Sequence, residues 1–170
     1  MTVERLFLEY SINKLEQLHS RIRECLNKLG EDEIWARGAE NENAIGNLVL
    51  HLTGNVRQWI VAGVGGEADT RLRDQEFNAR GDTHKQELVE RLEAAVAQAK
   101  TVLENLPPAR LTSRVTIQKY DVTVLEAVYH VVEHFSQHTG QIIFATKMLT
   151  GDDLGFYKHL KAPAHAETTP

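Results

Sequence analysis

The stretch Thr123-Val-Leu-Glu-Ala-Val-Tyr-His130-Val-Val-Glu-His134-Phe-Ser-Gln-His138-Thr-Gly-Gln-Ile-Ile-Phe-Ala-Thr-Lys-Met-Leu-Thr-Gly151 holds a structural element and a chemical site in one run of residues. Thr123 with Glu126 three residues later is a capping-box start, and Thr150-Gly151 is a stop, so the pattern predicts one helix continuing to about Leu149. Val124, Val128, Val131, Phe135, Ile142, Ala145 and Leu149 set its apolar face. His130, His134 and His138 recur every fourth residue. A helix advances about 100° per residue, so each imidazole stands one turn above the last, displaced by roughly 40°. His138 falls inside the apolar face, His134 on its shoulder and His130 nearer the solvent edge, which makes His134 and His138 the inner pair. Gln141 shares the His134 stripe two turns later, where it could bind a ligand or orient an imidazole.

Outward from this segment, the pattern predicts three more long helices. The first runs from about Thr2 to Leu29, with Leu8, Ile12, Leu15, Leu18, Ile22, Leu26 and Leu29 in alternating three- and four-residue steps and Gly30 as its stop. Residues 31–42 read as a loop with one apolar anchor, Ile34-Trp35. The second helix is expected from an Asn43 cap to near Gly63, followed by a long connection to Asp82. Connections of that length often cover a site. Thr83 and Gln86 suggest a capping box for the third helix, which Pro107-Pro108 ends. Thr112 to Tyr120 alternates loosely, as a short strand or hairpin would. The fold class that follows is all-α: an antiparallel four-helix bundle in one domain over residues 1–160, with a disordered tail over 161–170.

Composition narrows the function. The chain has 170 residues, 42% hydrophobic and 25% charged, with a formal charge of −5, which suits a soluble globular domain with a single core. The basic residues are scattered, so a nucleic-acid partner is not expected. No apolar stretch reaches membrane-spanning length, and the single cysteine, Cys25, leaves no intrachain disulfide; a cytoplasmic setting is the expectation.

A lone histidine on an apolar face is usually a packed core residue. Three at helical spacing on a half-buried stripe are harder to read that way, because buried imidazoles cost desolvation unless something accepts their lone pairs. A divalent cation is such an acceptor, and His51 on the second helix could supply a third nitrogen from across the bundle. Asn55, one turn further on the same side, reads either as an outer orienter or as a polar residue at the rim.

The segments Asn47-Leu-Val-Leu-His51-Leu-Thr-Gly-Asn55 and Glu133-His134-Phe-Ser-Gln-His138-Thr-Gly-Gln-Ile142, together with Arg71-Leu-Arg-Asp-Gln-Glu-Phe77 and Leu154-Gly-Phe-Tyr157, resemble the DinB-like superfamily of damage-inducible and YfiT-like metal-dependent hydrolases, in its branch with a His-Leu-x-Gly-Asn motif. The resemblance implies a four-helix bundle, commonly dimeric, with a divalent metal on three histidines. At the matching positions these are His51, His134 and His138. The leading expectation is a metal-dependent enzyme for hydrolysis or the transfer of a low-molecular-weight thiol, with zinc or nickel as the metal. Asn55, Gln141, and Arg73 or Glu76 from the long connection are the candidate substrate contacts. The rival expectations are a metal-stabilised stress-response or binding module without turnover, and a helical interaction protein whose histidines are incidental.

Overall fold

The computed structural model describes residues 2–161. Helix α1 spans Val3–Lys28, α2 Glu31–Ile34 and α3 Ile45–Val56, which continues into π-helical turns over Arg57–Val64. Then come α4 at Arg73–Asn78, α5 at Lys85–Glu104, a hairpin of β1 at Arg114–Ile117 and β2 at Tyr120–Thr123, and α6 at Val124–Thr150. The chain is therefore mostly helical, with one small antiparallel sheet. The expected disordered tail lies, except for Lys161, outside the described residues. No helix among the described residues is long and apolar enough to cross a membrane.

Local chemistry explains most element ends. The Thr2 hydroxyl accepts from Arg5 N and caps α1. Thr123 and Glu126 form the expected reciprocal box at the start of α6, and Gly151 ends that helix at φ 70°. Two expected caps are displaced. Helix α3 is capped at Ala44 instead of Asn43, because the Asn47 Oδ1 reaches back to accept from Ala44 N at 3.0 Å. At α5, Thr83 is buried with its carbonyl accepting from Trp35 Nε1, and the Glu31 carboxylate accepts from Lys85 N instead. In the hairpin, Gln118 and Lys119 both take positive φ, the two-residue turn whose twist matches the flanking strands.

Contacts near the helix ends fix the directions. Arg5 donates to the Glu104 carbonyl and Lys85 to the Leu29 carbonyl, so α1 and α5 run antiparallel. Lys28 pairs with Asp152 at 2.7 Å, which sets the end of α1 beside the end of α6 and makes that pair parallel. The start of α3 and the start of α5 both meet Trp35, and Arg57 further along α3 bonds Gln98 further along α5, so these two are also parallel. The expected antiparallel bundle thus contains two pairs that run the same way, α1 with α6 and α3 with α5. The physical reason is the long connection over residues 65–84, which carries the chain back along the molecule before α5 begins. On its way it lays α4 over α3, and an apolar core from Leu8 to Ile142 fills the space between the long helices.

Candidate metal centre

Helix α3 with its π-helical extension faces α6, and two stripes at four-residue spacing meet there, His51-Asn55-Trp59 and His138-His134-His130. Because the pair runs in opposite directions, His51 meets His134 and His138 at one end, while Trp59 meets the His130 ring at 4.3 Å at the other. His134 Nε2 stands 3.1 Å from His51 Nε2 and 3.1 Å from His138 Nε2. One ring nitrogen from each of the three lies within 4.8 Å of those of the other two.

The far sides of two of these rings are held. Glu76, on α4, places Oε2 3.0 Å from His51 Nδ1. Arg71 grips the same carboxylate from Nε at 2.7 Å and from Nη2 at 2.8 Å, with both side chains buried. Burial opposes ionisation of Glu76, but the hydrogen bonds from Arg71 and His51, aided by the Arg71 charge, outweigh it and hold the carboxyl below its usual range. Arg71 Nη2 also stands 3.1 Å from His51 Nδ1, and in the tautomer in which Nδ1–H donates to the ionised Glu76 the Nε2 lone pair is aimed at His134. In the same way the Gln141 Oε1, 2.6 Å from His138 Nδ1, turns the His138 Nε2 lone pair inward. Of the two partners expected for Gln141, the contact is thus with an imidazole.

The environment opposes protonation of the two rings on α6. Burial, then the like charges of His138, His51, His130 and Arg71, push His134 down to about 3. Burial also lowers His138, against a hydrogen bond to Gln141 that raises it. Two lone pairs converge on a third imidazole that resists protonation. One proton on His134 Nε2 would satisfy only one of them, whereas a cation satisfies all three. Nitrogens on a tetrahedral zinc stand roughly 3.3 Å apart, close to the two short separations here. The donor set fits a divalent ion.

The motif around His51 is explained residue by residue. Fully buried Asn47 donates from Nδ2 to the carbonyls of Glu76 and Ala79 and accepts from Arg37 and Ala44, pinning the α4 segment over α3. At Gly54, an added Cβ would stand 2.0 Å from Glu76 Oε1 and 2.8 Å from Arg71 Nε. Only glycine lets the carboxylate–guanidinium pair approach so closely. Asn47, Gly54 and Arg71 lie inside the quoted motifs, yet their roles are invisible without knowing where the long connection returns.

The other expected site residues are placed as follows. His130 sits outside the three-nitrogen group, between Trp59 and His134. Asn55 is buried with Oδ1 unpartnered. Arg73 is exposed and stacks on Phe77, so the guanidinium that reaches the site is that of Arg71. A separate cavity of about 560 Å³ lies behind Arg71 and Glu76, lined also by Thr53, Arg57, Gln58 and Arg91; none of the imidazoles lines it.

In fold the chain is DinB-like, and the imidazole seam lies within that fold. Residues 2–164 match the model described as "Protein of unknown function (DUF1572)", and the chain belongs to that family. Among solved structures it is similar to a conserved protein from Enterococcus faecalis, at 19% identity and a TM-score of 0.70, covering 89% of this chain and 99% of that one. A DinB-like protein, YjoA, from Bacillus subtilis matches at 17% identity and a TM-score of 0.67, covering 86% and 96% of the two chains. A mutant of mycothiol-dependent maleylpyruvate isomerase matches at 14% identity and a TM-score of 0.64, covering 84% of this chain but 63% of that one. At these identities the likeness is one of fold. Comparison with curated proteins gives no match.

Proposed function

We propose that the protein is a metal-dependent enzyme in which His51, His134 and His138 hold one divalent cation, zinc or nickel, for chemistry on a small molecule with a low-molecular-weight thiol as cosubstrate. The observation that carries this reading is the approach of three Nε2 atoms to one another while the Nδ1–H groups of His51 and His138 face Glu76 and Gln141. In this reading the four long helices form a bundle of two antiparallel pairs, and its α3–α6 seam is the active site. A cation with three protein ligands keeps a position for a guest and lowers the pKa of a water or thiol bound there. Glu76 fixes the His51 ring and Gln141 the His138 ring. Phe77 packs against His51 at 4.7 Å and shields its hydrogen bond to Glu76.

Hydrolysis and thiol transfer both start from such a centre, and two observations favour thiol transfer. Both Glu76 oxygens are engaged by Arg71 and His51, and Glu133 is exposed on α6, so neither carboxylate is placed as a general base for water. A solved neighbour in fold is also named for its dependence on mycothiol. The competing reading is a non-catalytic module in which the metal pins α3 to α6; the bracing of His51 and His138 serves that role equally well.

A nickel- or cobalt-substituted sample separates the two. A thiolate-to-metal absorption band on adding cysteine or a related small thiol supports the enzyme. A coordination spectrum that no thiol or azide perturbs supports the module. Unpartnered apolar residues on α6 (Leu125, Tyr129, Phe144 and Met148) suit a homodimer face, which sedimentation checks. We place the protein in the cytoplasm, without nucleic-acid or membrane partners.

A further inference from the structure

Two of the three clustered imidazoles have an outer acceptor, and the third does not. His51 has Glu76 and His138 has Gln141, but His134 Nδ1 is buried without a hydrogen-bond partner. Among the described residues, the buried side-chain atoms left in this state are His134 Nδ1, Asn55 Oδ1 and Trp59 Nε1. All three lie on the facing stripes of α3 and α6. Trp59 Nε1 can only donate and Asn55 Oδ1 can only accept, while His134 Nδ1 donates in the tautomer that gives Nε2 to a cation. Leaving a buried donor and a buried acceptor unpaired costs about 1–3 kcal/mol each, so their coincidence in one seam calls for a partner.

Register brings them together. His51 meets His134 and His138 at one end of the seam, and Trp59 meets His130 at the other. Asn55 lies one turn from both His51 and Trp59, and His134 one turn from both His138 and His130. On two antiparallel helices the midpoints of facing stripes are opposite each other, so Asn55 faces His134.

We infer that Asn55 is the positioning residue of His134: its Oδ1 accepts the Nδ1–H that His134 must carry once Nε2 is given to the cation, so that each ligand imidazole has an acceptor of its own. The inference rests on the three-histidine metal reading above. Rotation of one amide side chain pairs two groups that are otherwise orphaned, and it fixes the third ring in the tautomer that binds metal.

The test is zinc affinity by chelator competition on the full chain, together with nitrogen-15 NMR of the histidines in the zinc-loaded protein. Asn55→Ala is expected to weaken zinc binding by about 10–100-fold, the usual effect of losing an outer partner. Asn55→Asp, which keeps an acceptor oxygen in place, should bind within a few-fold of wild type. A slowly exchanging His134 Nδ1 proton should be present in wild type and Asn55→Asp and absent in Asn55→Ala. Should Asn55→Ala fail to fold, Asn55→Ser, whose oxygen is too short to reach, takes its place with the same expectations. Unchanged zinc affinity in the truncated variant overturns the inference, as does an equal loss in Ala and Asp, or a His134 proton that persists without Asn55. So does a change confined to the Trp59 indole proton, which would make Trp59 the donor that Asn55 serves. If wild type itself takes up no stoichiometric zinc or nickel, the metal reading has failed, and this inference with it.

Discussion

Helices α1 and α3 both pack on α6, one along its direction and one against it, yet they bury different kinds of surface. Helix α1 contributes Leu8, Ile12, Leu15, Leu18, Ile22 and Leu26, and its buried Ser11 returns its hydroxyl to the Phe7 carbonyl within the same helix. Helix α3 buries Asn47, His51, Thr53 and Asn55 among its apolar residues. An apolar seam is stabilised by area removed from water and asks little of geometry beyond fit. A polar seam must satisfy each buried donor and acceptor, which is why α3 needs α4, Glu76 and Arg71 around it while α1 needs nothing comparable. The first seam holds the fold and the second carries the proposed metal site.

Two substitutions on α6 should separate these duties most sharply. Phe135 is fully buried, and Phe135→Ala should cost about 3–5 kcal/mol of stability, measured by denaturant unfolding. Any variant that still folds should bind metal with near-normal stoichiometry. His134→Ala, one residue away, should do the reverse: elemental analysis should find stoichiometric metal lost, with a smaller effect on the metal-free fold. His51→Ala and His138→Ala should behave like His134→Ala, and His130→Ala should retain the ion. If Phe135→Ala strips the metal as completely as His134→Ala does, the two seams are not separable.

Gly54→Ala attacks the polar seam without touching an imidazole. The added methyl would overlap Glu76 Oε1, and that oxygen is no loose chain end, being held by Arg71 at 2.7 Å. Glu76 must therefore leave His51 Nδ1 or α4 must lift. Metal affinity should fall by about 10–100-fold, as for any loss of an outer partner. A variant with wild-type affinity would show that the Glu76 contact is dispensable.

The seams should also differ in their response to acid. Burial keeps His134 neutral down to about 3, whereas the unfolded chain takes up that proton near the ordinary imidazole value of 6.5. Between those limits the unfolded state binds more protons, so stability of the metal-free protein is full above about pH 6.5 and declines as pH falls toward 3. For one such group the slope approaches about 1.4 kcal/mol per pH unit. In His134→Ala the dependence should flatten, and in an α1 variant such as Leu15→Ala it should persist on a lower baseline. Urea midpoints measured across this range in chelator decide it.

How much of this was legible in the sequence follows from the same contrast. Periodicity reports a seam that is apolar throughout, so α1 and α6 are readable nearly to the residue, and the capping box at Thr123 with its stop at Gly151 marks both ends of α6. Four-residue spacing likewise ranks His134 and His138 above His130. Helix directions are not encoded in a stripe, because an apolar face packs against either end of its neighbour. The parallel pairing of α3 with α5 depends on where the 65–84 connection returns. The caps at Asn43 and Thr83 were displaced for a similar reason, as Asn47 and Glu31 supply acceptors from positions that only the fold brings near.

Arg73 and Arg71 show where pattern reading stops, and the smallest expected effect belongs to Arg73. Both arginines belong to one short polar segment, and composition gives no ground for choosing between them. The structure separates them by where α4 begins. Arg71 lies before the first turn and folds under it, its side chain buried against Glu76; Arg73 is the first residue of the helix, exposed, with its guanidinium 4.8 Å above the Phe77 ring. Arg71→Ala leaves a buried carboxylate with only His51 to answer it, a loss on the order of 3–5 kcal/mol in stability with weakened metal binding. Arg73→Ala removes one exposed cation–π contact and should cost about 0.5–1 kcal/mol with metal affinity unchanged. Chelator competition on the pair settles the assignment: equal loss in both variants would mean that α4 works as a unit and that neither guanidinium has a private role at His51.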